Sequence, residues 1–312
     1  MAIWKAYHMK PFPPLVYFGS DDFSAGVLER LVSHDDFQSA LKYVVTKTPR
    51  ISGRGRQASP TAVEKVARDH TEASLIYADN RAELDAALLP LGIEKDSAMG
   101  VLVSYGVIVS EPVLNLFSHG ITNFHPSLLP ADRGPSPVET ALLRGDTTLG
   151  LSVMRLVPAM DAGPVYDRTT FSIRGDEARD EVYGRIIEDG SQFFYSTLRK
   201  IAGGTADATD QDDSKATYTR LIKKQDGEFR PDLKSAEELE REVRVFLGFP
   251  KSRFSLLGHP VIITKSHVVS SIDDGPLVIA CSGDTYLSID ELIAPSGRKM
   301  DAAAFRRGYA AA

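Results

Sequence analysis

The sequence predicts an α/β protein in which a parallel sheet occupies roughly the first two-thirds of the chain and a small β-barrel or sheet domain follows. Three observations carry this reading. Short β-branched runs alternate with helical stretches up to about residue 200, the pattern of a parallel sheet with crossover helices. The stretch Gly203–Thr217, GGTADATDQDDSKAT, is small and acidic with no apolar periodicity, which marks a linker or exposed connection. Beyond it, short alternating runs are separated by turn residues. A length of 312 residues also favours two domains, since single cores stop growing near roughly 250–300 residues. The boundaries read as 1–203, a linker at 204–217, and a second domain at 218–312.

The elements follow in order. Leu15–Gly19 is a short apolar run ending in Gly, and Ser20, Asp21 and Asp22 suit the N-cap of a helix that carries Val27, Leu28, Leu31 and Val32. Lys42–Thr46, Ser74–Tyr77, Met99–Ser104 and Gly120–Phe124 are further strand candidates, and Leu151–Leu156 and Val165–Phe171 flank the turn Pro158–Pro164. No G-x-G-x-x-G follows the first strand, which argues against a nicotinamide or flavin dinucleotide. In the second domain Ser235–Leu247 reads as a helix with acids at its front. The runs Ser252–Leu256, Val261–Lys265, Leu277–Cys281 and Thr285–Ile289 read as its strands.

Composition bounds the class. Hydrophobic residues make up 43% and charged residues 25%, ordinary for a soluble globular chain. No apolar run approaches the roughly 20 residues of a membrane span. The opening MAIWKAYHMKPFPP lacks an apolar signal core, so a cytoplasmic protein is expected. The single cysteine, Cys281, can form neither an internal disulfide nor a cysteine metal cage. The net charge of −6 opposes bulk attraction to nucleic acid. One local exception is Thr46–Ser59, which carries Lys47, Arg50, Arg54 and Arg56 and no acid.

The densest chemistry lies in Asn123-Phe124-His125-Pro126-Ser127-Leu128-Leu129-Pro130, followed by Arg133-Gly134 and later by Met160-Asp161-Ala162-Gly163. Asn123 and His125 alternate along a strand, so both leave the same face, at the C-terminal end where open α/β sheets place their sites. Asp161, in a turn after another strand, could approach the same edge. Together the three would make a hydrogen-bond donor, a proton-transfer group and an orienting carboxylate. A lone His at a strand end is more often structural, and Asn and Asp are common in loops, so spacing alone leaves both readings open. A metal is not expected, because His125 and Asp161 lack a third ligand and no H-x-x-H or H-E-x-x-H occurs.

The run from Gly120 to Val165 strongly resembles the folate-dependent formyltransferases: N-x-H, S-L-L-P, R-G, G-D, Leu149-Gly150 and D-A-G all fall in order. The resemblance implies a Rossmann-like catalytic sheet followed by an oligonucleotide/oligosaccharide-binding (OB) type barrel. It also implies that Asn123, His125 and Asp161 are the catalytic trio. The likeness runs almost end to end with the members that formylate methionyl-initiator-tRNA. It includes YFGSDDFSAGVL, SGRGRQASPTAVEKVA, SYGVIVSEPVLNL, the segment from Ala216 to Pro250 and the segment from Gly283 to Gly308.

From that resemblance follow 10-formyltetrahydrofolate as cosubstrate and a reduced-folate pocket formed by Val103, Tyr105, Gly106, Val107 and Ile108 with Ser127, Leu128, Leu129 and Pro130. Phe23 would lie beside the methionine side chain, and Gly53, Arg54, Gly55 and Arg56 would contact tRNA, with no membrane partner and a monomeric chain. The alternative acceptor is a nucleotide-sugar amine. Departures from the family pattern are Ala131-Asp132, where it has a basic residue and an aromatic, and Arg230-Pro231-Asp232 and Leu247-Gly248-Phe249-Pro250, where it has D-W and N-P-W-P.

Overall fold

A computed structural model describes residues 10–51, 58–93 and 97–309. Two compact units emerge, and they do not divide the chain at one point. The first comprises residues up to 133, 150–170 and 183–218; the second comprises 134–149, 171–182 and 219 onward.

The first unit is built on a seven-stranded sheet. Its strands are β1 (Leu15–Phe18), β2 (Leu41–Thr46), β5 (Ser74–Tyr77), β6 (Met99–Leu102), β7 (Ile121–His125), β8 (Thr148–Arg155) and β9 (Val165–Ser172); a short hairpin pairs β3 (Arg50–Ile51) with β4 (Ala58–Ser59). The order is β5-β2-β1-β6-β7-β8-β9, with β1, β2, β5, β6 and β7 mutually parallel. β8 runs antiparallel to β7, with His125 opposite Ser152 and Thr122 opposite Arg155. The expectation of a parallel α/β sheet therefore holds for β1, β2, β5, β6 and β7, and β8 joins them in the antiparallel sense.

Side-chain caps open four helices of this unit. Asp21 accepts from Ser24 N at 2.9 Å and opens α1 (Asp22–Val32). α2 (Asp35–Ala40), α3 (Ala62–His70), α4 (Arg81–Leu88) and α5 (Glu111–Leu114) follow, with α3, α4 and α5 capped by Thr61, Asn80 and Ser110. α6 (Pro137–Arg144) belongs to the second unit, as do the first residues of α7 (Arg179–Arg185), and after α7 a π-helical turn at Ile186–Gly190 leads into α8 (Ser191–Gly203). α8 buries Phe194, Thr197, Leu198 and Ile201, a helical stripe spaced three and four residues apart. Val16, Phe18, Val45, Leu84, Leu88, Tyr105, Val113 and Ile121 belong to one buried cluster of this unit.

The second unit has a five-stranded antiparallel sheet of β10 (Ser252–Leu256), β11 (His259–Val269), β13 (Thr285–Ile293) and β12 (Val278–Cys281) in that order, with β14 (Lys299–Asp301) added to β13. β11 is longer than expected, and register shifts around Lys265 bend it. α9 (Ala236–Val245) is capped by Ser235 and Glu238 as a reciprocal box, and α10 (Ala302–Tyr309) closes the described chain. Leu239, Val243, Leu287, Ile289, Leu292 and Phe305 form the core. α6 packs on α9, where Arg241 Nε donates to the Leu143 carbonyl at 2.9 Å. No helix among the described residues is long and apolar enough to cross a membrane.

Candidate active site

β7 ends in Asn123 and His125, two of the residues that the resemblance singles out. The Phe124 ring stacks on Phe194 of α8 with centroids 4.6 Å apart, so alternation sends Asn123 and His125 to the opposite face. Asn123 lies in register between Leu102 of β6 and Met154 of β8. Both side chains are buried, His125 only 5% exposed.

The His125 ring is oriented by its neighbours. Its Nε2 lies 3.0 Å from the Asp132 carbonyl oxygen. A carbonyl only accepts, so Nε2 carries the hydrogen and donates, which leaves Nδ1 as the nitrogen free to take up a proton. Nδ1 faces the Asp161 carboxylate, with Oδ2 at 3.8 Å. That separation is beyond a direct hydrogen bond but leaves the carboxylate placed to stabilise an imidazolium.

Asp161 does not reach His125 by standing at the end of a strand on the same sheet edge. Because β8 is antiparallel to β7, its last residues lie beside the start of β7, and the turn between β8 and β9 has to fold back towards His125. Gly163 permits the fold: a Cβ there would lie 1.9 Å from the Arg155 carbonyl oxygen. Asp161 itself is left-handed at φ 49°, and so are Asp132 at 56° and Ser104 at 44°. Asp tolerates that region better than most residues, and strained backbone of this kind concentrates at functional sites.

The loop after β7 is held from several sides. Ser127 Oγ donates to the Ala131 carbonyl at 2.7 Å, Ser152 Oγ donates to the Ser127 carbonyl at 2.7 Å, and Leu129 N donates to Ser152 Oγ at 3.1 Å. Arg168 Nε donates to the Leu129 carbonyl at 2.8 Å. Gly150 lets β8 lie against this loop, since a Cβ would meet Leu128 N at 2.3 Å. After β6, Ser104 donates to the Asp21 carboxylate, Ser20 Oγ donates to the Tyr105 carbonyl at 3.1 Å, and the Tyr105 hydroxyl donates to the Ala78 carbonyl at 2.9 Å. Burial, with the nearby acids Asp79 and Glu83, raises the Tyr105 phenol above its ordinary range.

The residues singled out from sequence fall into distinct settings. His125 and Asp161 face one another, and Asn123 shares the strand face of His125. Val103, Tyr105, Ser127 and Leu129 have buried side chains, so what they offer a ligand is backbone; Gly106 is left-handed and Val107 and Pro130 are half-buried. Ile108 is 72% exposed and Leu128 45%, with Met160 beside Asp161 at 62%. Phe23 is buried against Phe124 and Tyr183. Gly53, Arg54, Gly55 and Arg56 lie outside the described residues. Lys47, from the same basic stretch, brings its Nζ to 3.1 Å from where a Gly106 Cβ would stand. Ser152 and Arg168 were not singled out, because a Ser and an Arg on alternating strands carry no signal of the loop they hold.

The formyl transferase family matches residues 15–198 and the formyl transferase C-terminal domain matches residues 221–310. The methionyl-tRNA formyltransferase of Methylobacillus flagellatus is 31% identical over 308 residues, covering 94% of this chain and 96% of that protein. Its counterpart from Methylococcus capsulatus is 32% identical over 313 residues, covering 96% and 97%. HypX from Aquifex aeolicus, solved in complex with tetrahydrofolic acid, superposes with a TM-score of 0.64 at 13% identity over 96% of this chain and 48% of its own, a likeness of fold. With both domains matched in order and the Asn123, His125 and Asp161 motifs in place, this chain belongs to the formyl transferase family.

Proposed function

We propose that the protein transfers the formyl group of 10-formyltetrahydrofolate to the amino group of methionyl-initiator-tRNA, the step that prepares this tRNA for translation initiation. The observation that carries the reading is the facing pair His125–Asp161 at the end of β7, in a chain alike from end to end to methionyl-tRNA formyltransferases.

The residues account for the chemistry. The amine attacks the formyl carbon, negative charge gathers on the formyl oxygen, and one proton passes from the attacking to the leaving nitrogen. Asn123 donates an amide N–H to that oxygen. His125 takes and returns the proton through Nδ1, since Nε2 is held by Asp132. Asp161 stabilises the charged ring and orients a bridging water. The folate lies along Val103–Ile108 and Ser127–Pro130, with exposed Ile108 and Leu128 as apolar walls and backbone groups reading its ring. Phe23 borders the methionine subsite. The first unit supplies the chemistry, and the second unit, with the basic loop Gly53–Arg56, supplies the RNA contacts. The protein acts as a cytoplasmic monomer.

The test incubates the purified chain with 10-formyltetrahydrofolate and methionine-charged initiator tRNA, with a nucleotide-sugar amine in a parallel reaction. N-formylmethionine released from the tRNA is the expected product. Formylation of the sugar amine with none on the tRNA would overturn the assignment.

A further inference from the structure

The acidic stretch read as a linker is laid along the catalytic loops of the first unit. Thr209 and Val165 exchange backbone hydrogen bonds, Thr209 N to Val165 O at 2.9 Å and Val165 N to Thr209 O at 2.8 Å. Gln211 follows. Its Nε2 donates to the carbonyl oxygens of both Asp161, at 2.8 Å, and Gly163, at 2.6 Å. Its Oε1 accepts from Arg133 Nε at 3.1 Å and Nη2 at 2.9 Å, and Arg133, only 2% exposed, also donates to Asp213 Oδ1 at 2.7 Å. Six residues on, Thr217 Oγ1 accepts from Asp132 N at 2.8 Å, and the Thr217 carbonyl accepts from Arg133 N at 2.9 Å. Thr217 N donates to the Pro130 carbonyl at 3.3 Å.

These contacts converge on one ring. Asp132 and Asp161 are the two partners of His125, one at each ring nitrogen, and both sit in left-handed backbone that needs outside support to persist. Gln211 grips the turn that carries Asp161; Thr217 grips the loop that carries the Asp132 carbonyl. We propose that residues 209–218 are a positioning strap, in which Gln211 and Thr217 hold the two oxygen partners of His125 at its two ring nitrogens. Both residues would act through the partners of His125. Gln211 suits the task because one amide supplies the donor that the turn needs and the acceptor that Arg133 needs. A carboxylate there would keep the second and abolish the first, so Gln211→Glu separates the two roles. Thr217→Val keeps shape and removes the acceptor for Asp132 N.

The proposal rests on the formyl-transfer reading, and its test separates the two. The full chain, labelled with ¹⁵N in its histidine rings, is compared by NMR with Gln211→Glu, Thr217→Val and Asp161→Asn, the His125 signal being assigned by its loss in His125→Gln. Gln211→Glu is expected to move the Nδ1 resonance in the direction that Asp161→Asn moves it, and Thr217→Val to move Nε2. An unchanged His125 signal in both strap variants, with the fold retained, would overturn the strap whatever the acceptor proves to be.

Formyl transfer to methionyl-initiator-tRNA is then measured on the same samples. Gln211→Glu should lower kcat about 10-fold or more with both KM values within about twofold, and should add little to the loss in an Asp161→Asn background, as residues acting through one another do. Multiplying losses, or a change confined to KM, would count against it. A wild-type chain inactive on this tRNA would defeat the functional reading alone, since the ring signals do not depend on the acceptor.

Discussion

Nδ1 of His125 faces Oδ2 of Asp161 at 3.8 Å because the other ring nitrogen is committed to the Asp132 carbonyl at 3.0 Å. The ring cannot flip without losing that bond, so Nδ1 and the carboxylate are paired by geometry. Asp161→Asn keeps the volume and removes the charge that stabilises the imidazolium. It should lower kcat about 100-fold or more while leaving thermal stability nearly unchanged, and His125→Ala should do at least as much. Near-normal turnover by a folded His125→Ala protein would sink the mechanism.

Gly163 makes the same pairing possible from the other side. Adding one methyl group brings it to 1.9 Å from the Arg155 carbonyl oxygen, a backbone atom that cannot swing aside. Gly163→Ala should therefore displace the turn, cost about 1–3 kcal/mol of stability and lower kcat along with it. A melting temperature and turnover both equal to wild type would show that the turn has slack.

Glu242, buried on α9, gives a pH test of the second unit. Burial pushes its carboxyl above the usual carboxylate range, while the Lys234 ammonium bonded to it acts the other way. The folded chain thus holds this proton more tightly than the unfolded chain does. The group's contribution to stability is complete below about pH 4.5 and is lost as pH rises through the raised folded value. Glu242→Gln removes that loss and keeps an acceptor for Lys234. The difference in melting temperature, variant minus wild type, should grow from pH 4 towards pH 7. A difference that stays flat or shrinks over that range would contradict the account.

Arg54 sits between two glycines in the basic loop, outside the described residues. With a net charge of −6 repelling tRNA at long range, local cations must do the attracting. Arg54→Ala should raise KM for tRNA and reduce the salt slope of binding by about one unit, without changing folate affinity. If folate binding weakens while the tRNA constant and its salt dependence hold, the loop is no RNA clamp.

Local patterns made much of this legible. The apolar runs at Leu15, Leu41, Ser74, Met99 and Ile121 became strands within a residue or two, and Asp21 and Ser235 capped helices as side-chain chemistry requires. The antiparallel turn of β8 and the membership of α6 in the second unit were not legible, because both depend on which surfaces meet after the chain has folded. α6 looks like any crossover helix until its partner α9, about a hundred residues later, is in place.

The sequence by itself placed Asn123 and His125 on one strand face, and its resemblance to the formyltransferases named Asp161 as their companion. Alternation is local, so it can be read one residue at a time. Tertiary structure alone decided the arrangement. It folded the Asp161 turn back over an antiparallel edge, turned the His125 ring by a carbonyl seven residues away, and laid Gln211 and Thr217 across both loops. In sequence those two residues are polar members of an acidic stretch without periodicity. Their partners lie 50 and 85 residues away, and hydrogen bonds to backbone atoms leave no side-chain pattern by which such a pairing could be foreseen.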